Sequence, residues 1–64
     1  MTLIYKYRRE KGLSQAELSE KIGVSQNTIS QWETGVRKPD IIHLKKLALA
    51  LNCTTDELLE SIKT

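Results

Sequence analysis

Ser14 to Gly35 reads SQAELSEKIGVSQNTISQWETG, and the spacing within it decides the fold. Leu18 and Ile22 stand four apart, so they meet on one face of a helix. Ile29 and Trp32 stand three apart and do the same one element later. Ser14 with Glu17 has the S-x-x-E spacing of a capping box, which starts a helix at about Gln15. Gly23 follows Ile22 directly, where a left-handed residue ends a helix. Ser25 caps a second helix running to about Glu33, and Gly35 terminates it. The stretch is therefore two short amphipathic helices hinged at Gly23, a core of residues 14–34.

Working outward, every other segment reads as helix or tight turn. A first helix covers roughly Thr2 to Lys11, with Ile4, Tyr7 and Leu3 inward and Gly12 as its stop. After the basic loop Val36-Arg37-Lys38-Pro39, Asp40 caps a fourth helix over Ile41 to Leu51, with Leu44, Leu47, Ala48 and Leu51 as its inward stripe. Asn52-Cys53 makes a turn, and Thr54 with Glu57 forms a second capping box that starts a fifth helix at about Thr55. Leu58, Leu59 and Ile62 are the apolar residues of that last helix. Nothing alternates with period two, so the expected class is all-α: five compact helices in one domain, 1–64.

Composition narrows the function. A chain of 64 residues has room for one core, and 28% charged with 39% apolar residues fits a folded domain. No apolar run reaches the roughly 18 residues of a membrane span, and the first residues, MTLIYKYRREKG, lack the apolar core and cleavage site of a signal peptide. A single cysteine, Cys53, allows no internal disulfide, so a reducing cytoplasm is the expected compartment. The net charge is only +2, but it is unevenly spread. Residues 1–46 hold nine Lys/Arg against five acids, a balance of +4; residues 47–64 hold three acids against one Lys, a balance of −2. That asymmetry suits an oriented anionic partner.

The outer side of the third helix carries the chemistry. Asn27, Ser30, Gln31 and Thr34 face away from Ile29 and Trp32 on a helical wheel, with Gln26 beside them at the first turn. A DNA major groove admits one helix, and sequence is read there by side chains that both donate and accept hydrogen bonds. Gln26, Asn27, Ser30 and Gln31 supply that chemistry, with no charge until Glu33. A carboxylate on that face repels phosphate, and a row of lysines binds without discrimination. Phosphate contacts must orient the helix. Gln15 sits at the first turn of the second helix, where free N–H groups and the positive dipole end can meet a phosphate. Arg37 and Lys38 follow the third helix, with Thr28, Thr34 and the start of the fourth helix as weaker candidates.

With these residues in view, the chain resembles the lambda-repressor-like (Cro/C1-type) helix-turn-helix family. The resemblance runs without a gap from about Ile4 to Leu59. It is carried by Leu13-Ser14-Gln15, Glu17-Leu18, Lys21-Ile22-Gly23-Val24-Ser25, Thr28-Ile29-Ser30, Trp32-Glu33, Gly35, Arg37-Lys38-Pro39, Leu44, Leu47-Ala48, Ala50-Leu51 and Asp56-Glu57-Leu58. It implies that Gln15 bonds a phosphate and braces the first recognition side chain, that Gln26, Asn27, Ser30 and Gln31 read bases, and that Arg8 pairs with Glu33. The wheel agrees on the last point, since Glu33 leans toward the Ile29–Trp32 side. Ser19 stands where the family has alanine and Asn52 where it has glycine; both substitutes fit, one by size and one by tolerating a left-handed backbone.

The resemblance implies a bacterial or phage-encoded repressor that binds a palindromic duplex operator as a homodimer beside the nucleoid. Ile42 and Leu49 lie seven apart and off the inward stripe; with Leu59 and Ile62 they are the candidate dimer seam. The alternative function is the DNA-binding antidote of a toxin–antitoxin pair. His43 is expected to be solvated, and Cys53 to pack as a small apolar residue. No Ser-His-Asp, Cys-His or paired-carboxylate grouping stands out, so no enzyme, metal, cofactor or small-molecule ligand is expected.

Overall fold

The computed structural model describes residues 1–62, without the side chain of Ile62. Five helices follow one another: α1 Leu3–Glu10, α2 Gln15–Ile22, α3 Gln26–Thr34, α4 Ile41–Leu51 and α5 Thr55–Ile62. The described residues contain no strand, and none of their helices is long and apolar enough to cross a membrane.

The helix starts are set by local chemistry. Ser14 and Glu17 close their capping box, each side chain holding the other's backbone N–H at 3.0 and 2.8 Å. Thr54 and Glu57 do the same, both at 3.0 Å. Asp40 Oδ1 accepts the His43 N–H at 2.9 Å, and Ser25 Oγ accepts the Thr28 N–H at 3.1 Å. Each bond satisfies a donor that the first turn leaves unpaired. Three helix ends carry a left-handed residue: Gly23 has φ 87°, Gly35 φ 86°, and Asn52 adopts φ 56° as its short amide permits.

α1 departs from expectation, being shorter at both ends. Thr2 does not cap it with its side chain. The Thr2 hydroxyl donates to the Trp32 carbonyl at 3.1 Å, and its N–H donates to the Glu33 carbonyl at 2.9 Å. The N-terminus thus satisfies orphan carbonyls at the end of α3. In turn Ser61 Oγ, on α5, accepts the Leu3 N–H at 3.2 Å.

The core is Ile4, Leu18, Ile22, Ile29, Trp32, Leu44, Leu47, Ala48, Leu51 and Leu58. Leu3, Tyr7, Leu13, Val24, Ala50 and Cys53 pack against it, half-buried. Every helix contributes, and each fully buried Leu or Ile is worth roughly 1.5–3 kcal/mol of transfer free energy. α2 packs on α3 and α4, while α1 lies across α3, α4 and α5. α3 is therefore held from two sides with its third side open. Ser19, buried between helices, returns its hydroxyl proton to the Ala16 carbonyl at 2.7 Å, which makes a polar residue acceptable where only a small one fits.

Candidate nucleic-acid interface

α3 is nine residues long, and its two sides are chemically opposite. Inward lie Ile29, Trp32 and Glu33, all buried. Outward, Gln26, Asn27 and Thr34 are exposed, and Ser30 and Gln31 are half-buried. The geometry brings Gln15, Gln26, Asn27 and Ser30 around one shallow depression where α2 meets the start of α3. It brings Arg37 and Lys38 around a second, with Val24, Thr28, Trp32, Asp40 and His43. Gln31 and Thr34 line neither. The Gln31 carbonyl accepts from the Gly35 and Arg37 N–H groups at 3.1 and 3.2 Å and from the Thr34 hydroxyl at 3.3 Å. That knot closes α3 and fixes where the basic loop departs.

The expected Arg8–Glu33 pairing is present in the structure. Arg8 Nε and Glu33 Oε2 are in direct contact, Arg8 Nη2 donates to Glu33 Oε1 at 3.3 Å, and Arg8 Nη1 donates to the Leu13 carbonyl at 2.8 Å. The fork of a guanidinium on both carboxylate oxygens ties α1 to the end of α3. Gln15 Nε2 adds a third donor, reaching Glu33 Oε1 at 2.9 Å. No buried side-chain nitrogen or oxygen is left without a partner among the described residues.

The Gln15 amide reaches Gln26, whose Nε2 lies 3.4 Å from Gln15 Oε1, which is the brace the resemblance implies, and it also reaches Glu33, which the sequence reading did not anticipate. One placement differs from the sequence reading. His43 is not simply solvated. It is half-buried, its ring centroid 5.4 Å from that of Trp32 with the planes tilted by 46°, and its Nδ1 lies 2.9 Å from Asp40 Oδ1. Asp40 therefore spends its charge on the start of α4 and on His43. The His43 N–H, with help from the histidine ring, holds the Asp40 carboxyl below its usual range. Thr28 shares its hydroxyl with Ser25, the two oxygens 2.8 Å apart. Ile42, Leu49 and Leu59 are exposed, as are Ile41, Val36 and Met1, which the sequence reading did not single out; the side chain of Ile62 lies outside the described residues.

A further concavity lies away from α3, lined by Tyr7, Glu10, Lys11, Leu51, Asn52, Cys53 and Glu57. There the Tyr7 hydroxyl donates to Glu57 Oε2 at 2.8 Å, and this bond raises the phenol above its ordinary value. Burial raises the Cys53 thiol, so it stays protonated and poorly nucleophilic. Among the described residues no three His, Cys, Asp or Glu side chains gather as a metal ion requires.

Comparison with known proteins agrees with this geometry. A helix-turn-helix family model matches residues 4–58. An uncharacterized HTH-type transcriptional regulator of Methanothermobacter thermautotrophicus is 44% identical over 50 residues, 78% of this chain and 72% of that protein. The HTH-type transcriptional regulator SinR of Bacillus subtilis is 38% identical over 58 residues, and Repressor protein C2 of Salmonella phage P22 is 40% identical over 53. These cover 89% and 83% of this chain but only 52% and 24% of the relatives' own lengths. In solved structures, a chain of SinR, the master regulator for biofilm formation, in complex with DNA matches with a TM-score of 0.80 and 38% identity, over 88% of this chain and 90% of that one. The chain belongs to the helix-turn-helix family of DNA-binding transcriptional regulators, in its lambda-repressor-like group.

Proposed function

We propose that the protein binds duplex DNA sequence-specifically, with α3 in the major groove, and represses transcription from a palindromic operator as a homodimer. The observation that carries this is the outer side of α3: neutral hydrogen-bonding side chains, exposed at Gln26 and Asn27 and half-buried at Ser30 and Gln31, on a helix whose inner side is locked by Trp32 and Glu33. Gln26, Asn27, Ser30 and Gln31 read base edges. Arg37 and Lys38 grip the backbone from the loop after α3, with Thr28 and Thr34 beside them. Gln15 has one amide proton left over after its bond to Glu33, and that proton is available to a phosphate. The likeness to a SinR chain solved with DNA supports the same placement, and the phage P22 C2 protein, a repressor by name, supports the sign. Two-fold dimers of such domains read half-sites about 34 Å apart. Ile42, Leu49 and Leu59 supply exposed apolar surface for the second copy.

Selection from a random duplex pool at two salt concentrations tests this. A specific reader keeps its preferred site as salt rises, whereas a purely electrostatic binder loses all sites together. Gln31→Ala is expected to cost ~1–3 kcal/mol and to relax preference at one base position. Arg37→Ala is expected to weaken all duplexes alike and to flatten the salt slope by about one. An alanine at position 31 that leaves the selected sequence intact removes Gln31 from the base-reading set. The exposed residues on α4 equally suit a different protein chain, as in an antidote that also binds DNA; co-purification of a second polypeptide, and not a self-dimer, marks that case.

A further inference from the structure

We propose that Glu33 is a positioning residue for base recognition: through Gln15 it dictates which edge Gln26 offers to DNA. The inference rests on α3 being the base-reading helix and on the Gln15 brace that the family resemblance implies, and adds that Glu33 sets the direction of that brace. A glutamine amide is two-ended, with an acceptor oxygen on one side and two donor protons on the other, in nearly the same shape. On an open surface both orientations are available, and such a side chain discriminates poorly. Glu33 removes that freedom. Its carboxylate, forked by Arg8, only accepts, so Gln15 must turn Nε2 inward, at 2.9 Å from Glu33 Oε1. Gln15 Oε1 then faces Gln26, which must turn its own Nε2 toward it, at 3.4 Å. A flipped Gln26 sets two oxygens against each other.

The layout makes the relay possible. Gln26 and Glu33 are seven residues apart, about two turns along one side of α3, and Gln15 of α2 lies between them. The donors all run inward, Gln26 to Gln15 to Glu33, and the terminus is a charge that does not itself approach DNA. What remains outward on Gln26 is its Oε1 and one amide proton. That acceptor–donor pair complements the N6 amine and N7 of adenine.

The test has two arms. In the free protein, the side-chain amide protons of Gln15 should be shifted from random-coil values and protected from exchange, and Gln15→Leu should move the Gln26 amide signal toward random-coil values. In selection from a random duplex pool, Gln26→Ala identifies the base position it reads. Gln15→Leu should lose preference there by about tenfold, keep preference elsewhere, and cause no further loss of preference in the double variant with Gln26→Ala, the lost phosphate contact adding only a weakening shared by all duplexes. The double variant Arg8→Gln/Glu33→Gln, checked as folded by circular dichroism, no longer fixes an amide end and should broaden the same position. Random-coil Gln15 amides, or a Gln15→Leu variant that weakens every duplex equally, overturn the proposal. A wild-type protein that selects no sequence overturns the DNA reading beneath it, while the amide spectrum of the free protein still reports on the relay itself.

Discussion

Glu33 is 1% exposed and Leu49 is 85% exposed. A carboxylate inside and a leucine outside invert the usual sorting of side chains, and they do so for opposite reasons. Glu33 is tolerated because three donors from Arg8 and Gln15 reach its two oxygens, so the cost of leaving water is offset by fixed hydrogen bonds. It holds α1, α2 and α3 in one register through a single group. Leu49 has no such account within the chain. It sits two turns from the exposed Ile42 on α4 while Leu44, Leu47, Ala48 and Leu51 supply that helix's whole contribution to the core. Scattered surface apolar residues are ordinary; Ile42 and Leu49 stand at heptad spacing on one helix, the repeat that helix–helix seams use. The contrast separates a group that locks the inner side of α3 from side chains the fold itself does not use.

The sharpest way to break the contrast is at the buried pair. Arg8→Met strands Glu33 with only the Gln15 amide, and the expected loss is ~3–5 kcal/mol of folding stability. In a domain this small, each kcal/mol moves the melting temperature by about 4–8 °C, so the variant should be largely unfolded at 37 °C by circular dichroism. The double variant Arg8→Met/Glu33→Leu should recover most of that stability, because no charge is left buried. Failure of the single substitution to destabilise the fold means the pair is open to water.

At the other pole, Leu49→Lys removes a side chain that touches little. Folding stability should stay within about 0.5 kcal/mol of wild type in a thermal melt. If α4 carries the dimer seam, sedimentation should show the variant shifted to monomer, with binding to a single half-site unchanged and binding to the paired site weakened. A melt that falls by several degrees instead places Leu49 in the core of a larger unit.

The same contrast explains what could be read in advance. The caps at Ser14, Asp40 and Thr54 and the stops at Gly23 and Asn52 are decided within four residues, so pattern alone locates α2 and α4 to the residue. Periodicity likewise sorts α3 into Ile29, Trp32 and Glu33 inside and the amides outside. What periodicity does not carry is the identity of a neighbour across the fold. Thr2 serves the end of α3 thirty residues away, Gln15 reaches Glu33 across eighteen, and His43 lies against Trp32 from another helix. Each of these is a polar or half-polar side chain whose partner is set by packing angle, which no local pattern records. So the outward direction of the candidate base readers is legible in the spacing, the Gln15–Gln26 contact and the Arg8–Glu33 pair come only through the family resemblance, and the Gln15–Glu33 bond comes through neither.

Between these two poles stand carboxylates that are exposed yet held by hydrogen bonds. Backbone N–H groups at Ser14 and Thr54 are the main cause holding Glu17 and Glu57 below their ordinary value of 4.5, as the His43 N–H does for Asp40. A carboxyl that binds its proton less readily folded than unfolded favours the folded state while ionised. The stability from Glu17 and Glu57 is therefore fully present above pH 4.5 and is lost as the pH falls through their lower folded values. Glu17→Gln and Glu57→Gln keep an acceptor for the same N–H but cannot titrate. The double variant should melt slightly below wild type at pH 7, where the ionised caps contribute fully, and lose less melting temperature than wild type between pH 5 and pH 3. The effect is the smallest of the three, because these groups stay in water where charge is screened. An unaltered acid slope in the double variant assigns the loss to carboxylates other than the two caps, and so moves weight back from the helix starts to the charges that join one helix to another.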